Sequence, residues 1–423
     1  MIDISNKQLI AEGLEFPTSL CFDNEGVAYV AESGLSFGGA EPGGRVLRIE
    51  ADGSHSCLLS GLGVPLNGIV CKDRSLYISE GGNPGRISRL DLDDGKVTVL
   101  LDNLPGLGNY QTCMVAFGPD GKLYFSQGAL TNHGIIGLDA YELGWLRCLP
   151  HNHDIPGYDI ELTGASVETA NPLVAEGATA RTGAFAPFDT VLPKGTRLAG
   201  QVPCTASVMR CNEDGSGLEL VAWGLRNSYG LGFTPDGRLL AADQSADDRG
   251  SRPADNAPDF LYEVKQGAWY GWPDFIGGVP ATDERFRSKR GPAIEQLLSN
   301  HDQLPPPESP LLAFPVNSAP TKFQVAPAHI EEWAGQIFIT LFGDEKPMTG
   351  PPGSRVGRSV ARIDPADWSL HPFFHGPFAR PMDVRFHPRD KAMYVLDFGE
   401  FEMRTQTEMS AQSGSGKLWR INL

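Results

Sequence analysis

Apolar and polar positions recur along the chain in one pattern. A polar entry leads into a short apolar run, then a Pro-Asp-Gly-like turn, then a second apolar run ending on an acid or an amide. The unit is seen at 17–32, 66–80, 110–127 and 224–244, in degenerate form at 322–340, and again at 380–397. Alternating runs bounded by such turn residues predict β-hairpins. A second unit follows most copies, a basic-apolar strand, a turn and a further strand, as at 45–54, 86–95, 207–216 and 359–364. Two hairpins per copy predict four-stranded antiparallel blades, and six copies predict an all-β, six-bladed β-propeller. The propeller is expected to be a single domain over 1–423. The run Lys417-Leu418-Trp419-Arg420-Ile421-Asn422 reads as a third strand without a fourth, whereas Gln8-Leu9-Ile10-Ala11-Glu12-Gly13-Leu14 matches fourth-strand endings elsewhere. The N-terminal strand is therefore expected to complete the last blade and close the ring, which removes exposed sheet edges.

Blade geometry sets one face apart. First strands begin where second strands end, so Thr18, Asn67, Tyr110, Gln111, Arg226, Asn227, Tyr229, Lys322, Gln324, Arg380 and Asp383 share a face with Glu32, Glu80, Gln127, Asp243, Gln244 and Asp397. Long irregular stretches are expected there too: an insertion at 129–203 in the third blade, another at 275–320 between the fourth and fifth blades, and shorter ones at 245–258 and 343–357. Loops of this length in a compact domain usually carry function.

Composition adds little to the fold and more to the function. Fifty glycines and 33 prolines suit many tight turns, and 41% hydrophobic with 21% charged residues is ordinary for a globular chain. A net charge of -17 speaks against nucleic acid or an anionic membrane as partner. The seven cysteines are scattered without a C-x-x-C pair, so neither a zinc knuckle nor an attached haem is expected, though Cys204 and Cys211 are close enough for a disulfide. Met1-Ile2-Asp3-Ile4-Ser5-Asn6 lacks a basic region followed by an apolar run, which reads as cytoplasmic, or as periplasmic if a leader has been removed. No apolar stretch is long enough to span a bilayer.

Several constellations could carry chemistry. Arg226, Asn227, Lys322 and Arg380 could form a cationic wall for an anionic ligand, or the cations could pair with Glu32, Glu80, Asp243 or Asp383. Glu32, Glu80, Asp243, Asp383 and Asp397 could hold a hard cation, or cap turns as blade-end acids do. Asp247, Asp248, Asp255 and Asp259 form an acidic loop before Tyr270, either a calcium site or a solvated loop. His151 and His153 lack a recognisable third metal ligand. No Ser-His-Asp nucleophile motif, phosphate loop or dinucleotide fingerprint is present.

Gly224-Leu225-Arg226-Asn227, Thr234-Pro235-Asp236-Gly237-Arg238-Leu239, Asp243-Gln244, Tyr270-Gly271-Trp272-Pro273 and Arg380-Pro381-Met382-Asp383-Val384 together resemble the glucose/sorbosone dehydrogenase family. That family consists of six-bladed propellers using pyrroloquinoline quinone (PQQ), a tricarboxylate, with calcium. The resemblance implies cofactor contacts at Arg226, Asn227, Gln244 and Arg380, with Lys322 and Asp383 beside them. It implies calcium ligation by the carbonyls of Ser245 and Ala246, and a structural calcium loop at Asp259 and Tyr270, although Phe260 stands where a glutamate is expected. The chain also departs from the family. Tyr110 occupies the position of the catalytic histidine, and Gln127 that of the aspartate orienting it. Met382 replaces the second cofactor arginine, and Tyr229 a glutamine. A tyrosine near pKa 10 is a poor base at neutral pH, so His133 or Asp383 would have to substitute.

The function implied is a PQQ- and calcium-dependent sugar or sorbosone (aldose) dehydrogenase, with Arg226, Tyr110 and Gln127 at the catalytic centre, a sugar or related carbonyl substrate and a soluble electron acceptor. Two other readings stand beside it. One is a divalent-metal lactonase in which Asn67 activates water, although no glutamate is found at Pro17-Thr18. The other is a non-catalytic propeller binding carbohydrate or protein.

Overall fold

The computed structural model describes residues 7–50, 52–349, 353–403, 405 and 408–423. The six residues on which the leader reading rests lie outside the described residues, as do 350–352 of the 343–357 segment. No helix among the described residues is long and apolar enough to cross a membrane.

Six four-stranded antiparallel units follow one another along the chain. Blade one consists of Pro17–Phe22, Ala28–Glu32, Gly44–Ile49 and His55–Leu62, and blade two of Leu66–Lys72, Ser75–Glu80, Gly85–Asp91 and Val97–Leu104. Blade three has Thr112–Phe117, Leu123–Gln127, Ser207–Cys211 and Glu219–Trp223, and blade four Ser228–Phe233, Leu239–Asp243, Phe260–Glu263 and Leu312–Ala313. Blade five has Pro320–Val325, Ile337–Leu341, Ser359–Asp364 and Ser369–Phe374. Blade six has Pro381–Phe386, Ala392–Asp397 and Gly416–Asn422, completed by Lys7–Leu14. The ring thus closes through the N-terminal strand, as expected. Ala11 and Leu14 on that strand are buried with Leu20, Val30 and Leu47 of blade one and Leu396 and Leu418 of blade six. The first strands neighbour one another in ring order and surround the axis.

The inner hairpins form because their turns suit the sequence. At Thr234–Arg238 two backbone hydrogen bonds close the turn and Gly237 has φ +87°, a conformation glycine adopts without cost. At the opposite end every inner hairpin slips register: between Pro17 and Ser19, Leu66 and Gly68, Thr112 and Val115, Ser228 and Gly230, Pro320 and Phe323, and Pro381 and Asp383. A bulge leaves a residue out of the ladder and re-aims its side chain, and here six of them ring one end of the channel.

The chain departs from expectation in the fourth blade. The segment 275–320 does not separate blades four and five. Leu312–Ala313 pairs with Phe260–Glu263 as the fourth strand of blade four, and Ala268–Trp269 crosses over to lie parallel to Glu219–Trp223 of blade three. A two-residue strand has no alternation to read, which is why the sequence pattern misses it. The 129–203 insertion, between the second and third strands of blade three, packs against this excursion through the Thr163–Leu297 and Glu161–Asn300 hydrogen bonds. Cys204 and Cys211 are both free and buried, so the expected disulfide is not formed.

Candidate functional site

The ring of bulges surrounds a cavity of about 330 Å³ at the channel mouth. Its lining includes the out-of-ladder residues Thr18, Asn67, Tyr229, Thr321 and Met382. This explains which predicted residues reach it. The bulge at Pro381–Asp383 turns Met382 inward, while Arg380 and Asp383 point elsewhere.

Arg226 is the centre of the polar wall. It enters on the loop after Gly224, whose φ of +87° and close approach to Trp269 leave no room for a side chain; a Cβ there would lie 2.5 Å from the indole. Gly224→Ala is therefore expected to cost about 2 kcal/mol, and an unchanged urea midpoint would count against this account. The Arg226 guanidinium is 3% exposed. Nε donates to Asn132 O at 2.8 Å, and Nη1 donates to the carbonyls of Gln244, at 3.0 Å, and Ser245. Nη2 donates to Asn132 Oδ1 at 2.6 Å, to Asp247 Oδ2 at 2.9 Å and to the Tyr110 hydroxyl. The guanidinium carbon also lies 4.3 Å from the centre of the Tyr110 ring. Arg249 reaches the same hydroxyl at 2.7 Å and pairs with Asp139 at 2.8 Å and Asp247 at 3.1 Å.

Electrostatics follow from this packing. Burial alone would raise the Asp247 carboxyl, but Arg226 and Arg249 outweigh it and hold the group below the usual carboxylate range. Burial pushes the Tyr110 phenol well above its ordinary value despite both guanidiniums. Its hydroxyl accepts from two arginines and donates to Asp247 at 3.2 Å, so it is not a free base. Asp259 differs. Burial raises it to about 7, against the Ser245 N–H that stabilises its charge, and Asp247 adds to the rise. It lines the cavity and accepts only from two backbone N–H groups, of Ser245 at 2.9 Å and Ala319 at 3.0 Å, so lone pairs remain for a ligand.

The predicted residues divide accordingly. Tyr110, Arg226, Asn227, Gln244 and Asp259 come together at the cavity. Gln127 lies apart, its amide oxygen accepting from Thr112 Oγ1 at 3.0 Å. Lys322 is 1% exposed, donates to Thr18 O at 2.6 Å and sits 4.2 Å from the centre of the Tyr229 ring. Asp383 is fully buried against Ser19, the Leu20 N–H and Arg385. Tyr270 donates to Glu263 O and accepts from Lys265 N, away from Asp259's partners. Ala246 is buried outside the cavity lining. His133, 1% exposed, contacts Arg252 O at 3.1 Å, and burial lowers its pKa well below the ordinary value. The second-strand acids cap backbone: Glu32 takes the Glu15 N–H, Glu80 that of Gly63, Asp243 that of Asn227 and Asp397 that of Arg380. Sequence reasoning did not assign Asn132 or Arg249 to the site; only the Asp-Asp-Arg cluster at 247–249 hinted at it.

These residues do not fit a tricarboxylate quinone seated on calcium. Every N–H of Arg226 already has a protein acceptor, and the carbonyls of Gln244 and Ser245 face its guanidinium rather than an ion. Arg380 is 0% exposed and engaged by the carbonyls of Phe401, Gly343 and Asp344 and by Glu402. Among the described residues no three His, Cys, Asp or Glu side chains converge as a metal site. In the lining, the carboxylates of Asp247, Asp259, Asp344 and Glu345 outnumber the guanidiniums of Arg226 and Arg249, which disfavours a polyanion.

No protein-family model matches the chain, and no curated protein matches it in sequence. Solved structures do. The PQQ-bound aldose sugar dehydrogenase of Streptomyces coelicolor superposes with a TM-score of 0.58 at 16% identity, covering 98% of this chain and 96% of that one. The holo PQQ domain of pyranose dehydrogenase from Coprinopsis cinerea gives 0.57 at 13% over 99% and 95%. The apo soluble aldose sugar dehydrogenase of Escherichia coli gives 0.55 at 16% over 98% and 99%. At such identities the likeness is one of fold: the chain has the six-bladed propeller of the aldose and pyranose dehydrogenases.

Proposed function

We propose that the protein recognises a sugar or a related polyhydroxylated carbonyl compound in the channel-mouth cavity, and that Asp259 takes or returns a proton at one of its hydroxyl groups. The observation carrying this reading is the wall from blades three and four, where the amides of Asn227 and Gln244, joined to each other at 2.9 Å, and the carboxylates of Asp247 and Asp259 line one cavity. Amides and carboxylates are the partners that polyols need, since each hydroxyl both donates and accepts. A carboxyl poised near neutrality is matched to proton transfer at neutral pH.

The finer reading, a PQQ- and calcium-dependent sugar dehydrogenase passing electrons to a soluble acceptor, draws support from the shared fold. The engaged donors of Arg226 and Arg380 speak against it.

Calorimetric titration with aldoses, ketoses and aldonolactones tests the proposal. Saturable one-to-one binding is expected from at least one of them, with affinity or turnover changing as pH passes through about 7. As pH rises through that value Asp259 ionises and becomes able to accept a proton, so a step needing the base grows. Asp259→Asn is expected to flatten this profile. A pH profile unchanged in Asp259→Asn would remove Asp259 from the role, and no binding across the panel would remove the reading. Saturable uptake of PQQ with calcium, followed by its reduction on adding a sugar, would replace it with the dehydrogenase.

A further inference from the structure

The cavity lining holds a polar group and an apolar group of side chains. Asn109, Tyr110, Arg226, Asn227, Gln244 and Asp247 come from blades three and four and the loops beside them. Blades five, six and one supply Phe37, Phe342, Met382, Phe398, Phe401 and Met403, beside the carboxylates of Asp344 and Glu345. The aromatic and thioether side chains form one apolar cluster with Phe16. Phe37 and Phe401 lie 5.3 Å apart between ring centres, Phe342 and Phe398 5.6 Å, and Phe398 and Phe401 5.7 Å at 90°. The last two pairs pack edge to face and Phe37 leans on Phe401 at 37°, contacts that fix ring orientation.

The apolar wall is also braced from behind. Arg380, with no exposed surface, donates to the carbonyls of Phe401, Gly343 and Asp344, which are the backbone on either side of the cluster. A wall held in this way is in place before a ligand arrives, so little ordering cost attends binding. Met382 and Met403 add polarisable thioethers that pack well against rings. A free monosaccharide would satisfy the polar wall and leave these aromatic and thioether groups against water. A volume of about 330 Å³ lies in the range that encloses a larger, drug-sized molecule.

We propose that the ligand is amphiphilic, a sugar head carrying an aryl group, with the head against Asn227, Gln244 and Asp247 and the aryl ring against Phe37, Met382 and Phe401. This inference rests on the sugar reading above and goes beyond it by naming the ligand's second half.

Matched methyl and phenyl β-glycosides of glucose, galactose and xylose, titrated into the full chain, separate the two ideas. The phenyl member of at least one pair is expected to bind about tenfold more tightly than its methyl partner. Met382→Gln and Phe37→Ser, each first shown by thermal melting to fold, are expected to cut that advantage to about twofold, read as the ratio of phenyl to methyl affinity within each variant. Equal affinities within every pair that binds would overturn the inference and leave the sugar reading standing. Failure of all six glycosides to bind would overturn the inference, while the sugar reading stands or falls with the titration of aldoses, ketoses and aldonolactones. A phenyl advantage that survives in both variants would place the aryl ring elsewhere and overturn the assignment to this wall.

Discussion

Arg226→Leu is expected to cost about 3–5 kcal/mol of stability and to abolish ligand binding, the largest effect of any single substitution in the site. Removing the guanidinium leaves Asp247 without a main partner and strips the hydrogen bonds from the carbonyls of Asn132, Gln244 and Ser245. Breaking a buried pair from one side is costly because the remaining charge stays desolvated. Asp247 keeps Arg249, and its side chain is 24% exposed, which sets the loss toward the lower end of the range. Arg226→Lys is expected to fall between the two, since an ammonium has the charge but not the planar fork that reaches five residues at once. Urea unfolding followed by tryptophan fluorescence measures both variants. A loss under about 1 kcal/mol in Arg226→Leu would mean that the network is decoration on a wall held by other contacts.

Lys322→Met is expected to act in the opposite direction and raise stability by about 2 kcal/mol at pH 7. Burial, with Arg385 nearby, pushes the ammonium down to about 7, and Asp383 only partly opposes the shift. Between pH 7 and the ordinary lysine value the unfolded chain holds a proton that the folded chain has lost, so wild-type stability rises with pH across that window. Below about 7 both states are charged and the folded protein carries the whole desolvation cost. Methionine has similar volume and no charge. It forfeits the contacts of the ammonium with Thr18 O and the Tyr229 ring, which is why the gain expected is smaller than the shift alone implies. The difference between variant and wild type should shrink on going from pH 7 to pH 10. A variant less stable than wild type at pH 7, or a difference that does not change with pH, would show that Lys322 is stabilising where it stands.

The propeller was legible because its signal is repeated. Each inner hairpin carries a turn and two apolar runs, and the missing fourth strand at one end of the chain matched the surplus strand at the other. The fourth blade was misread where its outer strand shrinks to Leu312–Ala313, too short for alternation to show. Within the site, sequence grouped Tyr110, Arg226, Asn227 and Gln244 on one face because blade geometry puts them there. It did not foresee that Arg226 and Arg380 would be saturated, because most of their acceptors are backbone carbonyls, which every residue has and no side-chain pattern reveals. Nor could it distinguish Met382 from Arg380 and Asp383 as the residue turned toward the cavity. That depends on a one-residue register slip, which leaves no compositional trace.

The manner in which the ring closes also constrains how the molecule comes to be. Inner hairpins join neighbours in sequence and can form as soon as they are made. The pairing of Lys7–Leu14 with Gly416–Asn422 instead joins segments about 400 residues apart. During synthesis, Leu14 and Ala11 must therefore wait, unpaired and apolar, until the sixth blade has emerged. The slow step of folding should be this last closure, and an early strand left without its partner is the point at which a chaperone, or a second nascent chain, would find a grip.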